Sequence, residues 1–424
     1  MTRLGGYIRG LDPSLPRPVW MLETGVVVNA VGNGMILPFG MIYLHNVRGF
    51  SLGTAGLVIA TFAAVTIVLT PLAGTLIDRL GARATLTGAL VVSAVGYGLF
   101  PLIRHPWQGF LFMAIAGVGN GAFWPSQSTI LAGLAGRERR SAAYAVQRTA
   151  FNLGIGIGGV AGGLIATTDH PRTFTVLFLA DAATFLVYAA GVALVPSLRE
   201  ASAPVRGGSW AEVVRDRVFL RVIGLNVLFV IAGYAAWEVA LPVLAKNHAG
   251  VGERSIGLIY LVNGITIVVA QLPVAKALEG RRRMRALAAM TAVWVVAWLV
   301  VWGGGLWLDA GAATAAFAVA AVIFGLGECA LGPAQSALVA DLAPDRLRGR
   351  YLSLLTSSYG VGLSVGPAAI GFLLGVSPLV VWPVAAGVLV VAGLGALSIE
   401  HSLPLDVRIT PVGAAAVETH RKPS

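Results

Sequence analysis

Residues 74–83 read Gly74-Thr75-Leu76-Ile77-Asp78-Arg79-Leu80-Gly81-Ala82-Arg83, a short charged turn between two long apolar runs, 53–77 and 84–103. Crossing the hydrocarbon of a bilayer as a helix takes about 20 apolar residues, and both runs are long enough. Gly74 would let two helices approach closely and Gly81 would permit a tight turn. Asp78 could sit at the N-terminus of a neighbouring helix, where negative charge is favoured. Arg79 and Arg83 suit the anionic surface of a membrane. The same residues would also serve as an ordinary positively charged membrane loop.

Working outward, twelve such runs can be placed. They lie near 19–44, 53–77, 84–103, 108–133, 142–167 and 173–196, then 219–245, 255–278, 285–304, 310–340, 351–374 and 378–399. The expected fold is an all-α membrane protein of twelve transmembrane helices in two pseudo-symmetric six-helix bundles, residues 1–196 and 218–400. A polar cytoplasmic linker, 197–217, joins them, and its later part from Trp210 suits a short amphipathic helix on the membrane surface. A cytoplasmic tail, 401–424, follows and is expected to be disordered beyond Leu403. The first run ends without a small-residue cleavage site and reads as a retained span.

Composition agrees with a lipid environment. The chain is 57% apolar and 12% charged, against about 25% charged for soluble domains, so water cannot be its main solvent. The net charge of +11 could suggest nucleic acid, but the basic residues sit in short loops, as orientation signals do. With both termini on one side, that side collects 24 of the 30 basic residues, which predicts cytoplasmic termini. Cys329 is the sole cysteine and all six histidines fall in loops or the tail, so no metal site, cofactor or disulfide is expected. No phosphate-binding Gly-x-x-x-x-Gly-Lys-Ser/Thr occurs, and no convergent nucleophile and base lie within the spans. Neither ATP-driven transport nor an enzyme is supported.

An internal repeat follows from sliding residues 117–163 by 208 positions onto 325–371, where 14 of 47 positions are identical. Gly117, Gly119, Pro125, Gln127 and Ser128 meet Gly325, Gly327, Pro333, Gln335 and Ser336, while Gly154 and Gly158 meet Gly362 and Gly366. Helices four and five therefore correspond to helices ten and eleven, and parallel halves of this kind place a transport path at their interface.

The turn at 74–83 resembles the signature loop of the major facilitator superfamily, Gly-x-x-x-Asp-Arg-x-Gly-x-Arg, and the resemblance extends over almost the whole chain. It implies a latch in which Gly74, Asp78, Arg79, Gly81 and Arg83 hold the cytoplasmic side shut, with Asp78 at the start of helix eleven near Arg350. The matching second-half loop keeps Arg281 and Arg285 but has Gly280 where the acid is expected, which implies a one-sided latch. The fifth span, with Arg148, Asn152, Gly158, Gly162 and Gly163, is similar to the glycine-rich helix of drug:proton antiporters. Gly159 stands where that motif has proline, so the match is partial. Its small residues suit either a rocking interface or any tight bundle. Arg148 and Asn152 share a helix face, and an Arg inside the membrane needs a partner.

Carboxylates in apolar spans are costly and mark function by default. Glu328, near mid-depth in the tenth span, and Glu238, just before Pro242 in the seventh, are the candidates for proton coupling or cation recognition. The resemblance implies that helices one, four, seven and ten line the cavity, which favours these two. Asp181 reads as a structural partner in a peripheral helix, and Glu23 as an acid reaching the cytoplasmic interface. Asn29, Asn33, Asn120, Trp124, Tyr234, Trp237 and Asn263 are the further cavity candidates. Aromatic rings beside carboxamides and acids suit an amphipathic, cationic organic substrate, although each ring could equally be packing.

The leading expectation is a proton-coupled secondary transporter working by alternating access, monomeric, exporting small organic molecules across a bacterial inner membrane. The alternatives are a metabolite importer or uniporter of the same fold, and a non-transporting membrane sensor or scaffold.

Overall fold

The computed structural model describes residues 15–195, 210–344 and 347–410. Backbone polar groups in lipid must be satisfied within the segment, so apolar runs of this length close into helices. They are α1 (Arg17–Ile36), α2 (Leu52–Leu80), α3 (Ala82–Leu99), α6 (Arg172–Leu194), α7 (Arg217–His248), α8 (Glu253–Ala277), α9 (Arg283–Trp307), α10 (Ala310–Leu342), α11 (Arg348–Val376) and α12 (Val381–Glu400). Helices α4 and α5 are the two legs of one 60-residue element, Pro106–Ile165, which breaks at Gly136 where φ is 71° and ψ is 171°. Ten helices meet the length and hydropathy of a membrane span, and the two legs bring the described crossings to twelve. They carry large exposed aliphatics, among them Val68, Leu72, Val269, Leu272, Val391 and Leu394. Such surfaces fit lipid, which is as apolar as the side chains themselves.

The chain divides into two compact units. The first comprises Met1–Phe39 with Thr61–Ala203, and the second Gly40–Ala60 with Pro204–Ser424. Most of the linker, 196–209, lies outside the described residues, while Trp210–Arg215 forms the short helix expected there.

In the first unit α5 packs on α1 at backbone distance. A Cβ on Gly158 would stand 2.1 Å from the Val31 carbonyl oxygen, and one on Gly162 would stand 2.4 Å from that of Met35. Gly154, Gly158 and Gly162 of α5 thus face α1 inside their own bundle. α4 packs on both α2 and α3: a Cβ on Gly117 would meet Phe62 and Val65, and one on Gly119 would meet Ser93 and Ala89.

The second unit repeats these contacts. Gly362 and Gly366 of α11 face Val230 and Ala235 of α7, as Gly154 and Gly158 face Ala30 and Val31. Gly325 of α10 meets Asn263 and Thr266 of α8, and Gly327 meets Trp294 of α9. The 208-residue repeat therefore joins helices that hold the same neighbours in each half. The second unit also takes in the hairpin 40–60. Gly56 lies against Pro367 and Gly371 of α11, and the Asn46 amide donates to Asn247 at 2.8 Å.

Candidate functional site

Helix α7 carries the densest set of candidates and does not hold α-helical register. Residues Val230–Ala240 form a π-helix, as do Leu244–His248. π segments are rare and concentrate at functional sites. Pro242, which has no N–H to donate, follows directly. Two carbonyls in the wide turn accept side-chain bonds: the Trp298 indole N–H donates to Ala232 at 2.8 Å, and the Tyr260 hydroxyl donates to Trp237 at 2.9 Å. The altered register is thereby fixed from α9 and α8.

Glu238 and Glu328 belong to the same unit and are both half-buried, and the Glu328 charge acts on Glu238. Each stands four residues beyond an aromatic ring, Tyr234 on α7 and Phe324 on α10. Phe324 is fully buried and stacked by Trp237 at 5.0 Å, Trp294 at 4.8 Å and Trp298 at 5.1 Å. Tyr234 meets Phe324, Trp294 and Tyr359 at 6.0, 5.7 and 6.1 Å and remains half-buried. Gly233 matters here, because a Cβ would lie 2.3 Å from the Trp294 ring. The arrangement is an aromatic wall with one partly open tyrosine and two acids at its edge. Trp237 is wall rather than lining, since it is only 4% exposed. Asn263 is buried and donates to the Ala321 carbonyl at 3.2 Å, so it ties α8 to α10. Sequence reasoning missed Trp294, Trp298, Phe324 and Tyr359. The four-residue spacing of the two tryptophans, and of Phe324 before Glu328, was the available signal.

The first-unit candidates lie on α1, α4 and α5. The Asn33 amide donates to Asn29 at 3.1 Å to the carbonyl and 3.3 Å to the side chain, so the two share a face as expected. Asn120 donates to the Thr66 hydroxyl at 3.3 Å. Trp124 is exposed and stands edge-on to Phe151 of α5 at 5.4 Å. Arg148 is exposed, Asn152 is half-buried and Gly163 is buried. Among the described residues no ion pair includes Arg148. Two acids are buried without a hydrogen-bond partner among the described residues: Glu23, which is 2% exposed and so does not reach solvent, and Asp181.

At the signature turn, Gly81 adopts φ 81° and caps α3, which is the tight turn its position suggested. Asp78 and Arg79 are exposed at the end of α2. A Cβ on Gly74 would meet nothing within 4 Å among the described residues. The Arg83 guanidinium donates to the Ala193 carbonyl at the end of α6, where a cation offsets the helix dipole. In the second-half turn Gly280 takes φ 70°, so it does the work of Gly81, and the exposed Glu279 supplies an acid immediately before it.

Around that second turn the basic run is structural. Arg283 is 1% exposed and pairs with Asp341 at 2.5 Å, while Arg282 and Arg285 both pair with Glu400 at 2.6 and 3.3 Å. The segment after Leu403, expected to be disordered, instead docks here as far as Thr410. The Gly280 N–H donates to Thr410 at 2.9 Å, the Thr410 N–H to Arg281 at 2.9 Å, and the Arg283 N–H to Arg408 at 2.8 Å. Residues 411–424 lie outside the described part.

The comparisons with known proteins agree with this architecture. The family model for the Major Facilitator Superfamily matches residues 22–310 and 223–417. An uncharacterized MFS-type transporter, YttB of Bacillus subtilis, is 26% identical over 416 residues, covering 97% of this chain and 99% of that protein. A Na(+), Li(+), K(+)/H(+) antiporter of Planococcus maritimus is 22% identical, covering 79% and 84%. Multidrug resistance protein MdtH of Edwardsiella ictaluri is 25% identical, covering 71% and 72%. Among solved structures, the nucleoside transporter NupG shares the fold with a TM-score of 0.72 at 14% identity, covering 91% of this chain and 99% of that one. With both halves matched by one family model and a relative aligned nearly end to end, the chain belongs to the Major Facilitator Superfamily.

Proposed function

We propose that this transporter exchanges protons for small, amphipathic, cationic organic molecules and exports them by alternating access. The observation that carries the reading is the pair of half-buried acids, Glu238 and Glu328, at the edge of the aromatic wall around Tyr234 and Phe324. Two like charges in a poorly solvated site repel, so such a pair holds either a proton or a cation. An organic cation docking on the open Tyr234 ring gains cation–π attraction and displaces the proton. Release of the cation lets the proton return, and this competition couples the two movements in opposite directions. The names of MdtH and of the Planococcus antiporter support export and proton exchange as the working reading. The excess of basic residues on the side of both termini supports an inner-membrane orientation with cytoplasmic ends. A monomer suffices, since both acids and the wall come from one chain.

The test is transport in proteoliposomes with an imposed pH gradient and ethidium as the organic cation. Wild-type protein should accumulate the dye at the expense of the gradient, and Glu328→Gln and Glu238→Gln should uncouple the two fluxes. Unchanged coupling in either variant removes that residue from the mechanism. A wild-type protein that moves dye with no proton flux refutes the exchange itself.

A further inference from the structure

Asp181 of α6 is fully buried and both its carboxyl oxygens lack a hydrogen-bond partner among the described residues. An ionised carboxylate without a donor is very costly to bury, so the packing shown suits the neutral acid. Its surroundings are nevertheless equipped for the ion. Gly32 of α1 lies directly opposite, and a Cβ there would be 2.6 Å from the Asp181 carboxyl and 2.2 Å from the Thr184 hydroxyl. One turn before Gly32, on the same face of α1, Asn29 is 4% exposed and its Nδ2 has no acceptor. The Thr184 hydroxyl donates to the Asp181 backbone carbonyl at 2.7 Å, and a rotation of its χ1 turns it toward the carboxyl. Tyr97 of α3 faces Asp181 electrostatically and stacks on Phe185 at 5.6 Å. At this level α1 presents only the uncharged Asn29, Gly32 and Asn33. The charged residues of α4 and α5 fall at 137–140 and at the exposed Arg148. Farther along the same face of α6, the Tyr188 hydroxyl also lacks a partner and feels the Glu23 charge.

We propose that Asp181 is a second proton-carrying residue of this transporter, seated in the seam between α1 and α6 of the first unit. In the packed seam it is the neutral acid. When α1 shifts against α6, its O–H bond breaks, the proton passes to water admitted to the seam, and Asn29 and Thr184 donate to the carboxylate left behind. This rests on the proton-exchange reading above, and it adds a site in the other unit from Glu238 and Glu328. Asp181 was read from sequence as a structural partner, but among the described residues neither of its carboxyl oxygens is hydrogen-bonded in the packed seam.

The experiment is infrared difference spectroscopy of purified wild-type protein between about pH 5 and about pH 9, alongside Asp181→Asn and Thr184→Val. The expected result is a protonated-carboxyl band that converts to a carboxylate band as pH rises and is missing from Asp181→Asn. Thr184→Val should shift the pH of conversion, because it removes a donor to the carboxylate. In proteoliposomes Asp181→Asn should keep ethidium binding and lose gradient-driven accumulation. A band that never converts, the absence of any band assignable to Asp181, or full gradient-driven accumulation by Asp181→Asn overturns the proposal. If Glu328→Gln uncouples and Asp181→Asn does not, the exchange reading stands and this site falls. If wild-type protein moves no protons, the exchange reading falls, and the infrared result still judges Asp181 by itself.

Discussion

The glycines of the two bundles can be sorted by what a single methyl group would do. A Cβ on Gly158 would stand 2.1 Å from the Val31 carbonyl oxygen. Carbon and oxygen settle no closer than about 3.3 Å, so α5 and α1 must part by roughly 1.2 Å at that layer. A gap of about 0.5–1 Å already forfeits a quarter to a half of each dispersion contact. The neighbouring layers, Gly154 on Ala30 at 2.5 Å and Gly162 on Met35 at 2.4 Å, are nearly as tight and would open together. Overpacking of this kind costs about 1–3 kcal/mol, and Gly158→Ala belongs at the upper end. At about 2–4 °C per kcal/mol, the expected fall in Tm is roughly 6–12 °C. The symmetry mate Gly366→Ala, 2.5 Å from the Ala235 Cβ, should behave alike. Gly88 and Gly224 are helical with open space around them, so Gly88→Ala and Gly224→Ala should be neutral or gain up to about 1 kcal/mol of helix propensity. Thermal unfolding in detergent, followed by tryptophan fluorescence, compares the four variants. Equal melting of Gly158→Ala, Gly366→Ala and the two open-space variants would refute the packing argument.

Asp341→Ala should destabilise more than Arg283→Met, because it strands a guanidinium that is 1% exposed, whereas the reverse leaves a half-exposed carboxylate to water; equal losses of Tm would contradict this. Removing residues 403–424 should speed tryptic cleavage at the exposed Arg281 and Arg282, since Thr410 brackets that turn; unchanged digestion would mean the docked segment protects nothing. Asp78→Asn should impair transport while leaving ethidium binding partly intact, and full transport activity would dismiss the latch. Gly74→Ala meets no steric barrier, so its Tm should match wild type; a marked loss would show that a helix packs there after all.

Much of this protein was legible in its residues. The length of the apolar runs, the placement of arginine in the loops and the 208-residue repeat determine the helices, their number and the correspondence of the halves. These are properties of single segments in lipid, and a segment's length and charge are written in its own sequence. The glycine spacings announced close packing, yet only the assembled bundle showed that Gly154, Gly158 and Gly162 face α1.

What the tertiary structure alone decided concerns which polar groups find partners. Arg282, Arg283 and Arg285 looked like loop charges, but Asp341 and the stretch from Glu400 to Thr410 converge on them from two distant parts of the chain. Asp181 looked paired and has no hydrogen-bond partner among the described residues, and Trp237 looked like lining and is wall. The π register of α7 has no sequence period of its own, since it depends on Trp298 and Tyr260 donating from other helices. Burial and hydrogen bonding belong to pairs of residues far apart in the chain, and a pattern read along one segment carries no information about the partner that folding brings to it.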